Sequence, residues 1–247
     1  MKEVKSKKLK RSTYWLPYIG LFITWLTVHQ AIRFFTHMQV VGSQNVRDAE
    51  AEADRRGVGI IFAMNHTSRL LDPFFVTAAS TPYYPSYPMF YVTGKMDMYK
   101  VYSSGFAKLI YNDFVFKMLG SQYIHSGKKD YSKSLKRHVD ILNAGHSVCI
   151  FPEGELSKDG TLGKAHGGVG YLAIETGAIV VPIYTVGGLG MSLSEFFMRK
   201  RHVVVSYGKF ISSLDFKPSV QSEKNKYQQY ANIVMDNIAH RVDESEL

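Results

Sequence analysis

Residues 58–73 read VGIIFAMNHTSRLLDP, and this stretch decides the fold. Val58–Asn65 is apolar at successive positions instead of alternating ones, the pattern of a strand buried on both faces. Such a strand needs further strands beside it and helices above and below it. The chain supplies both. MFYVTG (Met89–Gly94), HSVCIFP (His146–Pro152), AIVVPIYTV (Ala178–Val186) and HVVVSYG (His202–Gly208) repeat the β-rich pattern. Helical patterns occupy 72–80, 100–118, 130–144, 166–176 and 222–243, and a polar helical connector, 43–57, ends near Gly57. The alternation predicts an α/β fold with a mainly parallel or mixed central sheet flanked by helices.

A length of 247 residues holds one sizeable α/β domain and a short terminal element, but not two full enzymatic domains. A formal charge of +9 with 45% hydrophobic residues excludes an acidic disordered tail. One cysteine excludes a disulfide framework or a cysteine-clustered zinc module. That residue, Cys149, sits in mid-strand and reads as a small buried hydrophobe. A mean hydropathy of -0.12 disfavours a polytopic membrane protein.

The charge is unevenly placed. Lys2, Lys5, Lys7, Lys8, Lys10 and Arg11 stand against Glu3 alone, so the first eleven residues hold more than half of it. Behind them runs TYWLPYIGLFITWLTVHQAI (Thr13–Ile32), without an Asp, Glu, Lys or Arg. The pattern predicts an N-terminal membrane-associated helical segment in residues 1–42, ahead of an α/β domain in 43–247. At 1.5 Å per residue, such a helix just reaches across a hydrocarbon core of about 30 Å. Thr24, Thr27, His29, Gln30 and Pro17 weaken a crossing, and a helix lying in the interface is an equal match. A first helix packed on the α/β core is the remaining reading. Nucleic acid is disfavoured as a partner, because the lysines are bunched in the tail and no zinc-finger spacing or reader helix is present.

Chemistry gathers where buried strands end. The first strand runs into Asn65-His66-Thr67-Ser68-Arg69-Leu70-Leu71-Asp72-Pro73. A histidine there is placed to act as a general base, with a carboxylate to fix its tautomer and balance its charge. On an unbroken helix Asp72 would lie about 240° and about 9 Å away, so the pair meets only through a sharp turn. Thr67 and Ser68 are suited to cap one. Structural readings stand beside these: a hydrogen-bonded strand-end histidine, and a plain N-cap at Asp72 with proline at the first helical position. Ser68 lacks the G-x-S-x-G elbow of a covalent nucleophile.

The third strand ends in Phe151-Pro152-Glu153-Gly154, a rigid turn that holds a carboxylate over the sheet edge. Glu153 reads either as a site residue or as a structural turn carboxylate. Lys158, Lys164 and His166 follow, with glycines at 163, 167, 168 and 170 that let backbone approach closely. Their spacing is too loose for a phosphate-binding P-loop. A metal site from His66, Asp72 and Glu153 is a weaker reading.

Asn65, His66, Ser68 and Asp72, then FPEG at 151–154, then VPI at 181–183 together resemble the glycerolipid acyltransferases typified by 1-acylglycerol-3-phosphate acyltransferase, over roughly residues 40–210. The resemblance implies transfer of an acyl group from acyl-CoA or acyl-carrier protein to a lipid hydroxyl at a membrane, with no metal and no other cofactor. It implies catalysis by His66 and Asp72, with Asn65, Ser68, Glu153 and Gly154 shaping the acceptor side. Cytosolic thioester donors place the site on the cytoplasmic face. They favour a surface-lying N-terminal segment, since a crossing would put a cytoplasmic tail opposite the domain.

Three departures accompany the likeness. Five residues separate His66 from Asp72 where the family pattern has four, which calls for a bulge or wider turn around Arg69–Leu71. LGSQYIHSGKK (Leu119–Lys129) and FPEGELS lack the arginines that the family associates with the acceptor's phosphate. Lys128, Lys158 and Lys164 are the candidate substitutes, although lysine lacks arginine's bidentate fork. A hydrolase using the same dyad on water and a membrane-bound lipid-binding scaffold are the rival functions.

Overall fold

β2 (Ile60–Met64) lies in the interior of a seven-stranded sheet with all five residues buried. The computed structural model describes residues 15–68, 71–78, 86–94, 112–124, 130–214, 216–218 and 223–241. On either side of β2, β5 (Ser147–Ile150) and β6 (Ile179–Val186) run parallel to it, so that Phe62 faces Cys149 on one side and Val181 on the other. β3 (Met89–Thr93) continues parallel beyond β5, and β4 (Ser121–Tyr123) beyond β3. β7 (Val204–Tyr207) is antiparallel to β6, and β1 (Gln39–Val41) lies parallel to β7. The order is β1-β7-β6-β2-β5-β3-β4. The sheet is therefore mixed: five strands point one way and the outer pair β7 and β1 the other. The three-residue strands β1 and β4 give no sequence signal and were not expected.

Successive side chains of a strand face opposite sides, and β2 divides its apolar residues accordingly. Phe62 and Met64 join one buried cluster with Val181, Phe75 and Val46, while Ile61 and Ala63 join the other with Leu142, Leu172 and Val234. The first face is covered by α3 (Ser43–Arg56), whose last turn closes on Gly57 in the left-handed conformation, and by α4 (Asp72–Phe75). α7 (Lys136–Asn143), α8 (Gly168–Thr176) and α10 (Glu223–Ala239) cover the second. Gly170 makes the α8–α10 approach possible, since a Cβ there would collide with the Tyr227 carbonyl. Short helices α5 (Asp113–Met118), α6 (Tyr131–Ser134) and α9 (Leu193–Phe197) lie in the connections between strands. The expected 100–118 helix is found as α5, and its earlier part falls outside the described residues.

The expected N-terminal membrane-associated segment requires correction. Among the described residues no helix is long and apolar enough to cross a membrane. α1 (Trp15–Thr24) gives way to a π-helical turn at Trp25–His29 before α2 (Gln30–Phe35). The broken helix packs on the α/β body, with Gly20 against Met118 and with Leu21, His29 and Ile32 buried. Burial lowers the His29 pKa to about 4, with Arg33 acting in the same direction, so the imidazole is neutral. A hydropathy window counts the apolar residues but not the helical break or the polar side chain turned inward. The basic cluster at residues 2–11 lies outside the described residues.

Candidate active site

Beyond Met64 the chain leaves the sheet, and its first residue is fixed to the next strand. Asn65 donates from Nδ2 to the Thr185 carbonyl at 2.9 Å and accepts the Thr185 N–H at Oδ1 at 2.8 Å. Its side chain thus extends the β2–β6 ladder by one step. His66 follows, with its ring stacked on Phe151 at 4.2 Å between centroids and 20° between planes.

Asp72 closes the turn. Its Oδ2 accepts the backbone N–H groups of Thr67 at 2.7 Å and Ser68 at 2.8 Å, and lies 2.8 Å from His66 Nδ1. Thr67 Oγ1 donates to Oδ1 at 3.3 Å. Ser68 Oγ accepts the Leu71 N–H at 3.2 Å, and the Ser68 carbonyl accepts from Asp72 N. The extra residue between histidine and aspartate is therefore absorbed by a turn that Ser68 and Asp72 tie together. Arg69 and Leu70, where the bulge was expected, lie outside the described residues. Asp72 heads α4 with Pro73 behind it, yet its carboxylate reaches back to Thr67 and Ser68 instead of forward to the helix amides, so it is not a plain N-cap. Tyr91 braces the far side by donating to the Pro73 carbonyl at 2.7 Å. Burial drives the Tyr91 phenol's pKa well up, which keeps that donor protonated.

An ionised carboxylate only accepts hydrogen bonds, so His66 Nδ1 carries a proton, and in the neutral imidazole the lone pair is then on Nε2. Asp72 is wholly buried, while the His66 side chain is 19% exposed. The pair thus has a sheltered end and an open end.

Glu153 binds the backbone, not the ring. Its Oε1 accepts the His66 N–H at 3.0 Å and its Oε2 the Gly163 N–H at 2.7 Å. Gly154 then turns with φ 69, a conformation that favours glycine, beside the His166 ring. Ser157 N–H donates to the His66 carbonyl at 2.8 Å, so the loop carrying Lys158 is fastened to the dyad's own backbone. Lys158 and Lys164 are exposed, and neither makes an ion pair among the described residues. Lys128 lies outside the described residues. Among the described residues no three His, Cys, Asp or Glu side chains group as metal ligands. Cys149 is buried in β5, where burial raises the thiol pKa.

Thr67, expected with Ser68 to cap the turn, does so through an amide and a hydroxyl that both serve Asp72. Sequence reading overlooked Gly188, where a Cβ would come within 2.9 Å of Phe75 and 3.6 Å of Thr67 Oγ1. Gly188 carries no signal without its distant partners.

Comparison with known proteins matches the acyltransferase family over residues 37–186, which contain both loops. Two chloroplastic 1-acyl-sn-glycerol-3-phosphate acyltransferases share a 53-residue segment: LPAT1 of Arabidopsis thaliana at 49% identity and BAT2 of Brassica napus at 47%. The segment covers 22% of this chain and only 15% of each relative. The crystal structure of the 1-acyl-sn-glycerophosphate acyltransferase PlsC from Thermotoga maritima superposes with a TM-score of 0.54 over 94% of this chain and 81% of that one. At 19% identity this likeness speaks for the fold alone. With the family pattern spanning more than half of its length, the chain belongs to the acyltransferase family.

Proposed function

We propose that the chain transfers a fatty acyl group from an acyl thioester, acyl-CoA or acyl-carrier protein, to the hydroxyl of a lipid acceptor such as a lysophospholipid. The observation that carries this reading is the His66–Asp72 pair, buried at the carboxylate and open at the imidazole. His66 Nε2 takes the proton of the acceptor hydroxyl as its oxygen attacks the thioester carbonyl carbon. Asp72 holds the imidazole and balances the charge it acquires. The tetrahedral intermediate then collapses with cleavage of the C–S bond, and His66 returns the proton to the departing thiolate. Asn65 and Ser68 hold the dyad's turn, and Glu153 and Gly154 set the acceptor side. Lys158, Lys164 and Lys128 supply positive charge for an anionic acceptor. The donors are cytosolic, which assigns the site to the cytoplasmic face of a membrane.

The test is a panel of lysolipids and other hydroxylated lipids offered with labelled acyl-CoA and acyl-carrier protein. Acyl transfer should depend on the acceptor and fall about 10²–10⁴-fold in His66→Ala with the fold retained. Full transfer by that variant would sink the assignment. Release of free fatty acid regardless of acceptor would make the protein a hydrolase.

A further inference from the structure

The His66 imidazole has a contact that the proton transfer proposed above does not use. Asp72 Oδ2 meets Nδ1 at 2.8 Å, and Nε2 is kept for the acceptor hydroxyl. The further contact is a face: the Phe151 ring lies 4.2 Å from the imidazole between centroids, with 20° between the planes. A hydrogen bond at one nitrogen anchors the imidazole at that atom but lets the ring rock about the bond. A second ring laid along its face removes that freedom, which fixes the direction of Nε2.

Phe151 is itself held in place. It follows β5 directly, and the register that sets Ala63 beside Ile150 brings the ends of β2 and β5 level. Its side chain is partly buried against the cluster that contains Phe62 and Met64. Its carbonyl accepts the Gly154 N–H at 3.0 Å, and the adjacent Pro152 carbonyl accepts the His166 N–H at 2.8 Å. Two residues on, Glu153 accepts the His66 N–H at 3.0 Å. The end of β5 therefore grips one residue twice, at the backbone through Glu153 and at the side chain through Phe151.

We propose that Phe151 is a positioning residue for the reaction: its ring fixes the plane of the His66 imidazole and stabilises the imidazolium formed when His66 takes a proton. A cation within about 6 Å of an aromatic centroid is attracted to the negative face of that ring. The stack therefore strengthens as the neutral imidazole becomes charged, which is the change that general-base catalysis makes. An interaction stronger in the transition state than in the ground state raises turnover and not substrate affinity. Leucine or methionine would fill the same gap against the core, but neither offers such a face. The inference rests on His66 acting as the base in the proposed reaction.

Phe151→Leu keeps apolar bulk and removes the ring. Its kcat for acyl transfer should fall about 3–30-fold with the KM values of donor and acceptor unchanged. Phe151→Tyr keeps a ring and should recover most of that loss. In proton NMR spectra the His66 ring resonances, identified by their absence from His66→Ala, should lie upfield in the parent and move downfield in Phe151→Leu. If Phe151→Leu does not melt cooperatively, Phe151→Met takes its place. A ring-free variant with the parent's kcat, a loss carried by KM, a loss shared equally by Phe151→Tyr, or unshifted His66 resonances would each overturn the role. If the parent releases free fatty acid whatever the acceptor, the proposed transfer fails, and the same comparison read on hydrolysis decides the role of Phe151. A parent with neither activity would defeat the reaction and the role together.

Discussion

Glu153 accepts the backbone N–H of His66 at 3.0 Å across 87 residues of sequence. The carboxylate thereby joins the ends of β2 and β5, and through Gly163 it also pins the loop that follows. It acts on the position of the imidazole, through the backbone that carries it. Glu153→Gln keeps one acceptor but turns an NH2 group toward a backbone donor. The variant should lose about 1–3 kcal/mol of stability in urea titration. Acyl transfer should fall with it, and the pH profile should keep its shape.

Asp72 serves both the turn and the imidazole. Asp72→Asn removes the negative charge on which His66, Thr67 and Ser68 converge and replaces one acceptor oxygen by an NH2 group. Transfer should fall about 10²–10⁴-fold, and stability by about 1–3 kcal/mol. An unchanged melting point with lost transfer would show that the turn does not need the carboxylate.

Asn65 replaces a ladder step with its side chain, and its two bonds to Thr185 are buried. Asn65→Ala leaves a buried carbonyl and a buried N–H without partners. The expected cost is about 1–3 kcal/mol per orphaned group, read from chemical denaturation. Hydrogen exchange at the Thr185 amide should accelerate.

Gly188 has no room for a methyl group beside Phe75. Gly188→Ala should cost about 1–3 kcal/mol through overpacking. It should also displace the turn at Thr67, so transfer should fall more than stability alone explains. Thermal melts and kcat measured on one preparation test this together.

Burial holds the His29 and His138 pKa values down to about 4, against the ordinary histidine value of 6.5. The unfolded chain then binds more protons between those values, so the contribution is complete above about pH 6.5 and is lost as pH falls toward about 4. Each site contributes at most roughly 3 kcal/mol to this loss. Stability measured from pH 7 to pH 4 should decline, and His29→Leu should flatten part of the decline. A parallel pH dependence in the variant would remove His29 as a cause.

The sequence by itself determined the strand-and-helix alternation, because buried strands write themselves as unbroken apolar runs such as Val58–Met64. It also marked the two loops that matter, because NHTSRLLD and FPEG put rare polar residues directly after such runs. It could not decide whether five intervening residues let His66 meet Asp72, since backbone amides at Thr67 and Ser68 close that turn and amides carry no residue signature. Nor could it assign Glu153 to a backbone N–H 87 positions away. The N-terminal stretch shows the converse error: its composition suits a membrane, but the π-helical break and the inward-facing His29 exist only once α1 and α2 lie against the α/β body. Local pattern fixes what each segment becomes, while pairing across the sheet edge fixes which polar groups meet.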